Sequence, residues 1–100
     1  MTPSLPHILS IQSHVAYGYV GNRAAVPALQ ALGCEASAIN TVQFSNHTGY
    51  GDWTGEIFSP AHIGDVLNGL DIRGVLEDVN GLLTGYMGDA DLGHVIIRTL

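Results

Sequence analysis

The sequence predicts an α/β fold built on a mostly parallel central sheet. Short apolar, β-branched runs alternate with amphipathic helical stripes in the order β-α-β-α-β-α, the pattern of parallel strands joined by crossover helices. Glycine and polar side chains gather just after each apolar run. At 46% hydrophobic and 12% charged, the chain has the composition of a buried globular core rather than of a disordered segment.

The first strand is read over His7–Ser13 (HILSIQS), short and apolar after Pro6, with the glycine-containing segment HVAYGYVGN as the loop that follows. Ala25, Ala28, Leu29 and Leu32 then recur at i, i+3, i+4 and i+7, one stripe of a helix. Asn22 suits its N-cap and Gly33 its C′ position. Pro27 falls beyond the first turn, which predicts a kink or a later start to the regular helix. Glu35–Phe44 reads as the second strand. Ser59-Pro60 supplies an N-cap and a first-position proline for a helix whose stripe is Ile63, Val66, Leu67 and Leu70. Val79–Thr84 reads as the third strand, and Leu92, Val95 and Ile96 begin a third helix.

Nine acidic residues against three basic ones leave a formal charge of −6. Without clustered Lys and Arg, nucleic acid and anionic membrane surfaces are poor partners. Cys34 is alone, so an intrachain disulfide is excluded. The opening residues lack a basic region followed by an apolar core, and no apolar run is long enough to span a bilayer; the expected location is the cytoplasm. Three parallel strands would leave much helix and edge surface uncovered, and the apolar stripe runs to Leu100 without a stop signal. Residues 1–100 are therefore expected to be the first part of a larger α/β domain.

Ligands of open parallel sheets bind beyond the carboxyl ends of the strands. That rule selects Ser13–Asn22, Ser45–Trp53 and Gly85–Asp89, all rich in Gly, Ser, Thr, Asn, His and Tyr. A small-molecule site accounts for this clustering; ordinary turn chemistry, which uses the same residues, is the competing account. Known chemical motifs are otherwise missing. There is no G-x-x-x-x-G-K-[ST], and the third glycine of Gly49-x-Gly51-x-x-x-Gly55 comes one place late for a dinucleotide fingerprint. The five histidines lack zinc-ligand spacing. Adjacent Ser13 and His14 are poorly placed for a triad, and Asp52, Glu56, Asp89 and Asp91 form no compelling pair. No catalytic or metal-binding residue is assigned. Phe44, Tyr50 and Trp53 suit either a flat ligand or plain packing.

In order and spacing, LSIQSHVAYGYVGNRAA, NTVQFSNHTGYGDWTG and LLTGYMG resemble the opening third of pyridoxal kinases, a family of the ribokinase-like superfamily, and most resemble its bacterial branch. The resemblance covers essentially the whole chain. It implies a three-layer α/β/α fold, a homodimer, and transfer of the ATP γ-phosphoryl group, with Mg2+, to the 5′-hydroxyl of pyridoxal in vitamin B6 salvage. By the same resemblance Ser13 bonds the pyridine side of the substrate, Thr48 contacts it with Gly49 beside, and Tyr86 flanks the ring. Val20, Val42 and Phe44 supply apolar contacts and His47 shapes the wall. Hydroxyls both donate and accept, so such a rim suits several vitamers.

One departure from the family pattern limits what these residues do alone. The family's catalytic aspartate lies in a downstream G-x-G-D motif, whereas Gly85-Tyr-Met-Gly88-Asp89 spaces its glycines differently and belongs to the tyrosine motif. The expectation is an acceptor pocket without its catalytic base, the ATP-binding and metal-linked groups lying outside this sequence, so that the 100 residues by themselves do not phosphorylate pyridoxal. Within the superfamily a kinase for another vitamin or pyrimidine alcohol is the enzymatic rival. Two further readings are a non-catalytic ring-binding module or inactive fragment, should the chain end at Leu100, and a flavodoxin-like domain, for which Gly18, Gly21 and Asn22 make only a weak phosphate loop.

Overall fold

The computed structural model describes residues 5–99. The Met1–Ser4 part of the opening segment and the Leu100 terminus, on which the leader and chain-end expectations bear, lie outside them. The elements run β1 (His7–Tyr17), α1 (Asn22–Ala31), β2 (Glu35–Asn46), β3 (Gly55–Ile57), α2 (Pro60–Ile72), β4 (Gly81–Thr84) and α3 (Leu92–Thr99), with short 3-10 turns at Thr48–Tyr50 and Val75–Asp78. The sheet order is β3-β2-β1-β4. β1 pairs in parallel with both β2 and β4, while β3 pairs antiparallel with β2. The sheet is thus mixed, and mostly parallel as expected.

Alternation along β1 separates two sides. Leu9 and Ile11, with Ile39 of β2, are buried against Ile63 and Leu67 of α2 and Leu92 and Ile96 of α3. Fully burying side chains of this size contributes roughly 1.5–3 kcal/mol each. Ser10 and Gln12 face the other way and meet Asn22 of α1 through hydrogen bonds. Helices therefore lie on both sides of the strands.

Several boundaries differ from the sequence reading. β1 continues through Tyr17, four residues past Ser13, because its pairing with β2 resumes at His14↔Gln43 and holds to Tyr17↔Asn46. β2 likewise includes Ser45 and Asn46. β3 was not anticipated; three exposed residues give too little hydrophobic signal, and the pairing of Val42 with Ile57 defines it. β4 starts at Gly81 rather than Val79, since Asn80 is spent on bonding His7.

Asn22 is not a cap. Gly21 occupies that place with φ 57°, and Asn22 is the first helical residue, buried inward. The helix contains Pro27 and begins at Asn22 all the same, so its regular part does not start late. Of its expected stripe, Ala25 and Leu29 are half-buried, but Ala28 and Leu32 are exposed. The reason is that α1 meets a polar strip of sheet, so its one fully buried side chain is a carboxamide. Its end is as expected: Gly33 has φ 85°, its N–H bonds Gln30 O at 3.0 Å, and Cys34 N–H bonds Leu29 O at 2.9 Å. That pair of bonds is a Schellman motif. In α2, Ser59 Oγ caps by accepting from His62 N–H at 3.1 Å, with Pro60 first in the helix. Ile63 and Leu67 are buried, whereas Val66 is exposed on the outer side.

Candidate functional site

The carboxyl ends of β1, β2 and β4 open onto a cavity of about 380 Å3 lined by Gln12, Ser13, Val15, Val20, Gly21, Phe44, His47, Thr48 and Tyr86. Six of the eight residues singled out from the sequence meet here: Ser13, Val20, Phe44, His47, Thr48 and Tyr86. Two do not. Val42 is fully buried beneath the cavity, packed with Val15, Phe44 and Val20. Gly49 lies beside it, and its N–H donates to His47 Nδ1 at 3.0 Å. A β-carbon at Gly49 would sit 2.6 Å from that nitrogen, so glycine lets the imidazole fold over the turn. With Nδ1 accepting, the neutral ring carries its proton on Nε2.

Polar residues of the long loop divide into two groups. Ser45 Oγ accepts from Thr54 N–H at 3.0 Å and donates to Asn46 Oδ1 at 2.7 Å; Asn46 Nδ2 donates to the carbonyls of His47 and Asp52, both at 3.0 Å. These side chains hold the loop's own shape. The hydroxyls of Ser13, Thr48 and Tyr86, by contrast, make no hydrogen bond to any described residue and line the cavity. Loop chemistry accounts for the first group and leaves the second uncommitted. The aromatic residues divide as well. Phe44 walls the cavity and is backed by Trp53, with ring centroids 4.2 Å apart. Tyr50 packs edge-on to Tyr17 and His47 outside.

One bond ties two strand ends together, and two further contacts shape the β1 end of the cavity. Thr41, fully buried on β2, donates its hydroxyl to Tyr86 O at 2.6 Å. Gly21 approaches Ser13 so closely that a β-carbon there would collide with the serine's carbonyl and hydroxyl. Gln12 donates to Ser10 Oγ at 3.0 Å. Gln12, Val15 and Gly21 were not assigned as site residues from the sequence, although Val15 and Gly21 fall within the selected Ser13–Asn22 segment. The first and third flank assigned residues in the motifs QSHV and YVGN, where spacing alone does not say that both neighbours reach the same cavity.

No carboxylate lines the cavity, and among the described residues no three His, Cys, Asp or Glu side chains gather. Hard divalent cations bind oxygen ligands, usually with carboxylates among them, so this lining does not fit a Mg2+ site. It fits a small, flat, neutral molecule: apolar walls from Val20 and Phe44, and three free hydroxyls on the rim.

Strand-end cavity, mixed sheet and two-sided helices define an open-sheet α/β unit of the kind that binds small ligands beyond its strand ends. No family model matches the chain. It is 57% identical over 91 residues to pyridoxal kinase PdxY of Rubrobacter xylanophilus, covering 91% of this chain and 31% of that one. It superposes on the pyridoxal kinase of Leishmania donovani, solved in complex with ADP and pyridoxine, with a TM-score of 0.90 and 42% identity, over 93% of this chain and 32% of that one. The match to the Trypanosoma brucei pyridoxal kinase has a TM-score of 0.90 at 38% identity, over 97% and 35%. The chain is thus homologous to the N-terminal portion of pyridoxal kinases and shares their ribokinase-like fold. It spans about a third of the length of the curated relatives it matches.

Proposed function

We propose that residues 1–100 form the N-terminal, acceptor-binding portion of a single ribokinase-like pyridoxal kinase domain, which transfers the γ-phosphoryl group of ATP to the 5′-hydroxyl of pyridoxal. The observation that carries this reading is the set of three uncommitted hydroxyls, Ser13, Thr48 and Tyr86, around an apolar-walled cavity. Identity to named pyridoxal kinases supports the choice of substrate. The pyridine ring lies against Val20 and Phe44 and its polar edge meets Ser13 and Thr48. Tyr86 flanks the ring, His47 forms part of the wall, and Gly49 and Val42 support the pocket from beside and below. Phosphoryl transfer is chiefly positioning and charge stabilisation, so fixing the acceptor hydroxyl is this portion's share of the work. ATP with Mg2+ is the co-substrate, held by no residue of this cavity; the enzyme is a cytoplasmic homodimer serving vitamin B6 salvage.

The test is steady-state kinetics of the full-length protein with pyridoxal and ATP. Pyridoxal 5′-phosphate should form, and Ser13→Ala and Thr48→Ala should each raise the pyridoxal KM about tenfold, a lost hydrogen bond's worth, with the ATP KM little changed. No phosphorylation of pyridoxal, pyridoxine or pyridoxamine by the wild-type protein overturns the reading.

A further inference from the structure

The pairing of β1 with β2 slips at the site. Gln12 lies opposite Asn40 and His14 opposite Gln43, so that Thr41 and Val42 together face the single residue Ser13. Such two-for-one bulges are rare between parallel strands, and where they occur beside active sites they re-aim a side chain. A bulge also takes neighbouring backbone groups out of the regular ladder, and buried groups need partners.

One side chain supplies them on both strands. Asn22 is 3% exposed. Its Nδ2 donates to Ile39 O at 3.0 Å and Asn40 Oδ1 at 2.9 Å on β2, with a longer contact of 3.4 Å to Gln12 O on β1. Its Oδ1 accepts the Ser10 hydroxyl at 2.7 Å. The carboxamide therefore grips both strands on the residues immediately before the bulge. The adjoining Gly21 brings the start of α1 into contact with Ser13 itself. Ser10 in turn receives the Gln12 carboxamide, and that side chain reaches the cavity wall.

We infer that Asn22 is a positioning residue for the pyridoxal pocket, setting the Ser13 hydroxyl by clamping the β1–β2 bulge; for its ligand the inference rests on the function proposed above. The chemistry calls for asparagine. A planar group must present an acceptor to a hydroxyl and donors to a carbonyl and an amide oxygen at once. Aspartate has the same shape and keeps the Ser10 bond, but sets a carboxylate against Ile39 O and Asn40 Oδ1.

The experiment compares wild type, Asn22→Asp, Asn22→Ala and Ser10→Ala in the full-length protein, by kinetics and by amide hydrogen exchange. Asn22→Asp should raise the pyridoxal KM about tenfold or more, and hold the ATP KM within about twofold. It should also speed exchange at residues 13–14 and 40–43 while leaving 81–84 unchanged. Ser10→Ala, which removes only one arm of the clamp, should show the same pattern more weakly, and it decides the matter with Asn22→Asp should Asn22→Ala fail to fold. An unchanged pyridoxal KM overturns the inference. So does a rise in both KM values with faster exchange throughout, the signature of general loosening. If the wild type does not turn over pyridoxal, the proposed function falls by itself. Exchange, which needs no substrate, then decides the clamp: no local acceleration in Asn22→Asp overturns it.

Discussion

The two sides of β1 and β2 are built from opposite chemistry. Toward α2 and α3 the strands present Leu9, Ile11 and Ile39, which pack without direction against Ile63, Leu67, Leu92 and Ile96. Toward α1 they present Ser10, Gln12 and Asn40, whose bonds converge on Asn22. Burial of apolar area supplies stabilisation in proportion to area and tolerates small shifts. A hydrogen-bond network contributes less net energy but fixes angles and distances, and fails sharply if one partner is lost. The side that stabilises is thus separated from the side that aims, although they share the same strands.

Substitutions on adjacent residues sharpen that division. Ile11→Ala, on the apolar side and fully buried, should cost about 3 kcal/mol in urea unfolding, from lost transfer energy plus the cavity left behind. Ser10→Ala, its neighbour facing α1, should cost about 1–2 kcal/mol, since it strips the partner from a buried carboxamide oxygen. If Ser10→Ala proved as damaging as Ile11→Ala, the division would be wrong. Ser59→Ala, which touches neither side, should remove about 1 kcal/mol through the lost cap of α2. Smallest of all, Val66→Ser on the outer surface of α2 should stay within about 0.5 kcal/mol in the same unfolding experiment. A larger loss there would mean that the outer side of α2 is covered in the full-length protein.

The apolar side was legible in the sequence because periodicity reports it: Ile63 and Leu67 repeat at helical spacing, and Leu9 and Ile11 alternate as a strand should. Glycine and serine at helix ends were legible for the same kind of local reason, Gly33 and Ser59 each acting on its own turn. The aiming side was not. Asn22 looks like a cap because local rules reward asparagine before a helix, and nothing local reveals that Gly21 must take that place to approach Ser13. β3 escaped because three exposed residues carry no pattern. The cavity was legible as a location, by the strand-end rule, and six of its residues by resemblance. Val42 and Gly49 were named with them, but whether a motif residue lines a wall or supports it depends on tertiary geometry. The inclusion of Pro27 in α1 is likewise invisible to propensity.

The spare residue opposite Ser13 also bears on how β2 tolerates changes in length. Buried apolar positions run from Ile39 to Val42 and Phe44, with fully buried Thr41 as the extra residue between them, so the count of two breaks once. Excising Thr41 would mend it, leaving an even ladder with Val42 and Phe44 still turned inward. The shorter strand would be the tidier one, yet it would release Tyr86, whose carbonyl Thr41 holds. Regularity and grip compete over a single codon here, and a screen of one-residue deletions through 39–44 for refolding yield on one axis and pyridoxal affinity on the other should find the variant at Thr41 moving in opposite directions along the two.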